Sequence, residues 1–174
     1  MTARVEVLST PRLTLRHLSA TADAAFMLEL LNEKPFLENI GDRGVRNLAD
    51  AARYIQNGPV ESYRQFGLGL YAVELKESGT VAGICGVLKR ESLEFPDLGF
   101  AFLQKFWGQG YARESAEAVM HYARNTLGLK RIVAITKPKN EDSIRLLEKL
   151  GFHFEEMVQM PDQDAESRLF GSEA

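Results

Sequence analysis

The chain has 174 residues, 45% of them hydrophobic and 26% charged, with a formal net charge of −3 at pH 7. That length suits one domain over residues 1–174 with a full core, and the mildly negative balance, with Lys and Arg scattered, gives no electrostatic case for nucleic acid. One cysteine, Cys85, excludes an internal disulfide, three histidines beside it are too few for a structural zinc site, and no apolar run is long enough to cross a membrane.

In chain order, Met1 to Thr10 lacks the apolar core of a signal peptide, and with the lone cysteine this predicts a cytoplasmic protein. Arg12-Leu13-Thr14-Leu15-Arg16 alternates polar and apolar residues and predicts a strand. Ser19 or Thr21 can cap a helix that aligns Ala22, Phe26 and Leu30. Lys34 to Arg46 carries Pro35, Gly41 and Gly44 and reads as a loop. Asn47 caps a second helix with Leu48, Ala52 and Ile55 on one side, Gly58-Pro59 breaks it, and a short helical piece runs to Phe66. Gly69 to Lys76 and Thr80 to Arg90 read as strands joined by a Glu77-Ser78-Gly79 turn. Leu98 to Leu103 is the next strand.

The stretch Phe106-Trp107-Gly108-Gln109-Gly110-Tyr111-Ala112-Arg113 then leads into a helix over Glu114 to Thr126. The first N–H groups of a helix have no internal partner, and the helix dipole adds partial positive charge there. Gly108 and Gly110 remove side chains that would keep an anion from those groups, which points to a phosphate or pyrophosphate ligand. A Walker-type loop would need Gly-Lys-Ser/Thr, and a Rossmann fingerprint a third glycine where Arg113 stands; neither is present. Gly128 stops the helix, Arg131 to Thr136 is a β-branched strand, and Asn140 caps a last helix with Ile144, Leu147 and Leu150 inward. Gly151 ends it, Phe152 to Met160 is strand-like, and Ser167 to Phe170 predicts a short edge strand.

This order resembles the GCN5-related N-acetyltransferase (GNAT) superfamily, in its ribosomal-protein-alanine N-acetyltransferase branch. Four segments carry the resemblance: Thr10-Pro11-Arg12-Leu13-Thr14-Leu15-Arg16, Leu98-Gly99-Phe100-Ala101-Phe102, Trp107-Gly108-Gln109-Gly110-Tyr111-Ala112 with Glu114, and Asn140 through Phe152. Together they cover roughly residues 10 to 160 in the family's order. The resemblance implies an α/β (α+β) fold, a mixed, mostly antiparallel sheet of six to seven strands flanked by about four helices. It also implies acetyl transfer from acetyl-CoA to a primary amine by direct attack, without a metal.

The same resemblance implies the site. Gly108, Gln109, Gly110, Tyr111, Ala112 and Arg113 would hold the coenzyme's pyrophosphate. Backbone groups of Phe100, Phe102 and Leu103, on a fourth strand that splays from the fifth, would hold its pantetheine arm. Asn140 would contact the pantetheine or its loop, and a backbone donor near Phe102 would meet the oxyanion. Many members of the superfamily protonate the leaving thiolate with a tyrosine of the last helix, where none of the five tyrosines lies; the resemblance to this branch implies Ser143 in that role. The amine must lose a proton, and Asp97 is the first candidate base, ahead of Glu94 and Glu91. Phe36, Glu38, Asn39 and Trp107 are the candidate acceptor residues, with Glu38 and Asp42 placed to attract a cationic amine. Acceptors compatible with the resemblance are a protein N-terminus, an amino acid, a polyamine or an amine drug. A non-catalytic acyl-CoA-binding module and an ATP- or NAD-binding protein are the rival readings. Homodimerisation is compatible with the resemblance, and no residue specifies it.

Overall fold

The computed structural model describes residues 4–173. The strands are β1 (Glu6–Ser9), β2 (Leu13–Arg16), β3 (Leu70–Leu75), β4 (Val81–Leu88), β5 (Asp97–Phe102), β6 (Arg131–Thr136), β7 (His153–Val158) and β8 (Ser167–Glu173). The helices are α1 (Ala24–Leu31), α2 (Lys34–Asn39), α3 (Leu48–Ile55), α4 (Glu61–Phe66), α5 (Tyr111–Asn125) and α6 (Glu141–Lys149). Among the described residues one eight-stranded sheet runs β1-β2-β3-β4-β5-β6-β8-β7, in which only β5 and β6 pair in parallel.

The period-two pattern of the strands sends side chains to two cores. On one face Leu13, Val73, Cys85 and Leu98 pack with Ala116, Val119 and Ala123 of α5 and Leu147 of α6. On the other, Ala72 and Ile84 meet Met27, Leu30 and Leu31 of α1 with Ala51 and Ile55 of α3. The second face also buries an ion pair. Arg16, 8% exposed, forks onto Asp23 at 2.8 and 2.9 Å and reaches Glu74 at 2.9 Å.

Several expectations need correction. The sheet has eight strands rather than six to seven, because β1 precedes the predicted first strand and β8 is a full strand. β8 is internal, between β6 and β7, so β7 is the edge. The segment expected as a loop holds α2, whose Pro35 sits in the first turn, where a missing N–H costs nothing. Gly58-Pro59 does not break its helix: a π-helical turn, Gln56–Val60, carries the chain from α3 into α4. Leu48 is 55% exposed, and Ala51 with Ile55 forms the inner face of α3. Ser19 caps the turn before α1 by accepting from the Ala22 N–H at 3.2 Å, and the helix itself starts at Ala24.

Candidate active site between the splayed strands

β5 and β6 are matched at a single position, Asp97 with Val133, secured by the Val133 N–H donating to the Pro96 carbonyl at 2.9 Å. Beyond it the parallel strands part. The Leu103 N–H donates to Ala82 on β4 at 2.9 Å, so antiparallel alternation turns Ala101 and Gly99 toward β4. The backbone groups of Phe100 and Phe102 therefore face the opening. A sheet edge left unpaired inside a fold offers hydrogen bonds to an extended ligand.

These contacts narrow the expected anchors. The Leu103 N–H is taken by Ala82, and the Leu103 carbonyl already accepts from the Phe106 N–H at 2.9 Å. The Phe102 carbonyl accepts from the Trp107 indole N–H at 2.9 Å. Phe100 and the Phe102 N–H remain turned to the opening. Trp107, 45% exposed, fastens the glycine loop to the end of β5 and does not line the cleft.

The loop ends at the N-terminus of α5. Gly108 and Gly110 have φ of 76° and 83°, left-handed values that strain any residue with a Cβ. The first helical bond runs from the Glu114 N–H to the Gly110 carbonyl, and no side chain caps the helix. The N–H groups of Tyr111, Ala112 and Arg113 are thus left without helical acceptors, the arrangement that suits an anion.

The loop has a support that the sequence reading missed. Arg12 donates through Nε to Glu114 at 2.7 Å and through Nη1 to the Gln109 carbonyl at 2.9 Å. Its guanidinium lies 4.5 Å from the centre of the Tyr111 ring. The Arg12 N–H and the Thr10 hydroxyl both donate to the other oxygen of Glu114, at 3.0 and 2.5 Å. Arg12 and Thr10 belong to the opening Thr10–Arg16 segment, but their partner Glu114 lies about a hundred residues away, beyond any local pattern.

A cleft of 540 Å³ opens from the splay. Its lining includes Asp97, Phe100, Thr136, Asn140 and Ser143 together with Phe36, Asn39 and Arg43 from the far side. Asp97 is 1% exposed. Burial raises its pKa above the ordinary aspartate value, opposed by Arg90, whose Nε lies 3.0 and 3.2 Å from the two carboxylate oxygens. Asn140 Oδ1 accepts from the Ser143 N–H at 3.4 Å, capping α6 as expected. Ser143 also lines the cleft, and among the described residues its hydroxyl has no hydrogen-bond partner.

Of the acceptor candidates, Phe36 and Asn39 line the cleft, whereas Glu38 and Trp107 do not. Glu38 and Asp42 form exposed ion pairs, with Lys34 at 3.7 Å and with Arg46 at 2.5 Å. The cleft's own carboxylates are paired with arginines: Asp97 with Arg90, Asp162 with Arg43 at 3.2 Å, and Glu61 with Arg64. Cys85 is fully buried and its thiol is pushed up to about 12 by burial, which removes it as a nucleophile. His17 stacks on Tyr63 at 3.9 Å, and burial lowers its pKa. Among the described residues no cluster of His, Cys, Asp and Glu could hold a metal ion, and no helix is long and apolar enough to cross a membrane.

Comparison with known proteins agrees with this geometry. The family described as acetyltransferase (GNAT) domain matches residues 12–153. The uncharacterized protein YkkB of Bacillus subtilis is 33% identical over 95 residues, 53% of this chain and 55% of that protein. The [ribosomal protein uS5]-alanine N-acetyltransferase of Escherichia coli is 36% identical over 90 residues, 52% of this chain and 46% of that enzyme. The chain thus spans about half the length of these curated relatives. The crystal structure of an acetyltransferase from Agrobacterium tumefaciens superimposes with a TM-score of 0.80 and 25% identity, covering 100% of this chain and 96% of that one.

Proposed function

Because the chain belongs to the GNAT acetyltransferase domain family, we propose that it transfers an acetyl group from acetyl-CoA to a primary amine. The observation that carries this reading is the continuity of two features. A parallel pair splays beyond Asp97 and leaves strand β5 with free backbone groups. Its end leads through a left-handed glycine loop to the uncapped N-terminus of α5. A pantetheine arm fits the first and a pyrophosphate the second.

The chemistry follows from Asp97 and Ser143 on the cleft wall and from the backbone at the end of β5. Asp97 takes the proton that the attacking amine must lose, directly or through water. The Phe102 N–H donates to the oxygen that gains charge as the amine adds to the thioester carbonyl. As the carbon–sulfur bond breaks, the Ser143 hydroxyl donates to the departing sulfur. The inert Cys85 favours direct attack over an acyl-enzyme.

The pairing of the wall carboxylates with arginines favours an acceptor with one ammonium group over a polyamine. A second ammonium would find no free carboxylate there, and leaving it unpaired in a partly desolvated cleft is costly. The test is thiol release from acetyl-CoA with peptides bearing a free N-terminus, amino acids, amine drugs and spermidine. Release with a monoamine above release with spermidine is expected. Preferred turnover of spermidine contradicts the acceptor reading. CoA binding with no release for any amine leaves a non-catalytic acyl-CoA-binding module.

A further inference from the structure

We propose that Arg12 is a positioning residue for the coenzyme loop, holding Gln109 and Glu114 so that the α5 N-terminus faces the pyrophosphate; this rests on the acetyl-CoA reading above. The case begins with one peptide plane. Arg12 Nη1 donates to the Gln109 carbonyl at 2.9 Å. In a trans peptide the carbonyl and the next N–H point in opposite directions. Fixing the Gln109 carbonyl on Arg12 therefore turns the Gly110 N–H away from Arg12, in a loop where both flanking glycines are left-handed.

The second strand of the argument is charge. Glu114 lies in the first turn of α5, where its carboxylate would repel a phosphate bound at the same helix end. Burial pushes its pKa up, but the hydrogen bonds from Thr10 and Arg12 outweigh that and leave it below the ordinary glutamate value, so it is ionised. Arg12 neutralises it at 2.7 Å while Thr10 occupies its other oxygen. The space at Gly110 fits the same picture, since a Cβ there would lie 3.3 Å from Arg12 Nη2. A single side chain just before β2 thus sets the loop's peptide orientation and offsets the negative charge of Glu114 at its end.

The test compares two acetyl donors, acetyl-CoA and S-acetylpantetheine, which has the thioester and pantetheine arm but no pyrophosphate. Arg12→Ala is expected to raise KM for acetyl-CoA about tenfold, the scale of a lost hydrogen bond to a charged group. It is expected to leave kcat at saturating acetyl-CoA, and kcat/KM for S-acetylpantetheine, unchanged. Arg12→Lys, which keeps a charge beside Glu114 but cannot reach two acceptors as a rigid fork, is expected to raise the same KM by a smaller factor; it also serves if the alanine variant does not fold. Parallel losses with both donors mean general destabilisation and overturn the proposal, as does an unchanged KM for acetyl-CoA. If the unsubstituted protein shows no preference for acetyl-CoA over S-acetylpantetheine, the pyrophosphate site itself fails, and the proposal falls with it.

Discussion

Asp97 is under two opposed influences. Burial disfavours its charged form, and the Arg90 guanidinium favours it; burial prevails, so the pKa sits above the ordinary aspartate value. A base with that property holds a proton more readily than a solvated carboxylate does. The account predicts that Asp97→Asn lowers kcat by roughly 10²- to 10⁴-fold, the range for loss of general base catalysis, with acetyl-CoA affinity kept. It also predicts the direction of a pH shift. Activity falls as pH drops through the pKa of a base that must be ionised. Arg90→Gln removes the opposing charge, so the acidic limb of the kcat/KM profile moves to higher pH. A limb that stays in place in that variant contradicts the assignment. Asp97 was legible in the sequence because it opens a strand that carries the family resemblance. Arg90, seven residues earlier, gave no sign, because its role depends on the β4–β5 register that brings Leu88 opposite Asp97.

At the scale of elements, two left-handed glycines set the entry to α5. Gly108 and Gly110 both hold left-handed φ, and any other residue there costs about 1–2 kcal/mol in backbone strain. They differ in surroundings: a Cβ at Gly108 would meet nothing within 4 Å, whereas one at Gly110 would meet Arg12. Gly110→Ala is therefore expected to lower thermal stability and CoA affinity more than Gly108→Ala, as measured by thermal denaturation and CoA titration. Equal effects would mean that the Arg12 contact is incidental. The long amphipathic helices α5 and α6 and the alternating strands were readable, since their periodicity persists over many residues. Short elements were not. In α2 the proline mimics a breaker in the sequence but sits in the first turn, where it is tolerated. β1 is four residues long, and its pairing with β2 shifts register between Glu6 and Leu8. β8 was placed at an edge because no local feature tells a chain to insert between two earlier strands.

The whole molecule is organised around the point where β5 and β6 part. Every other strand pair is antiparallel and matched at three or more positions, so the sheet is well specified on both sides of the break. Two cores, one on each face, hold it there. The element order was legible in the sequence, but the splay was not: β5 and β6 are both apolar strands, and no periodicity separates a paired apolar strand from a parted one. The splay was expected only because the segments resemble a family that has it. The acceptor wall was the least legible part. It is built where α2, the segment before α3 and the β7–β8 connection meet, as in the contact of Gln163 Nε2 with the Ile40 carbonyl at 3.3 Å. Such contacts bring together residues distant in sequence.

The most direct test of the central claim is the melting temperature of the protein with CoA, acetyl-CoA, ATP and NAD, each at the same millimolar concentration. A ligand that binds only the native state stabilises it by mass action, by about 2.7 kcal/mol at a hundredfold excess over its Kd. The account predicts a rise with CoA and acetyl-CoA and a smaller one or none with ATP and NAD. No rise with the CoA species, or a larger one with ATP or NAD, would contradict it.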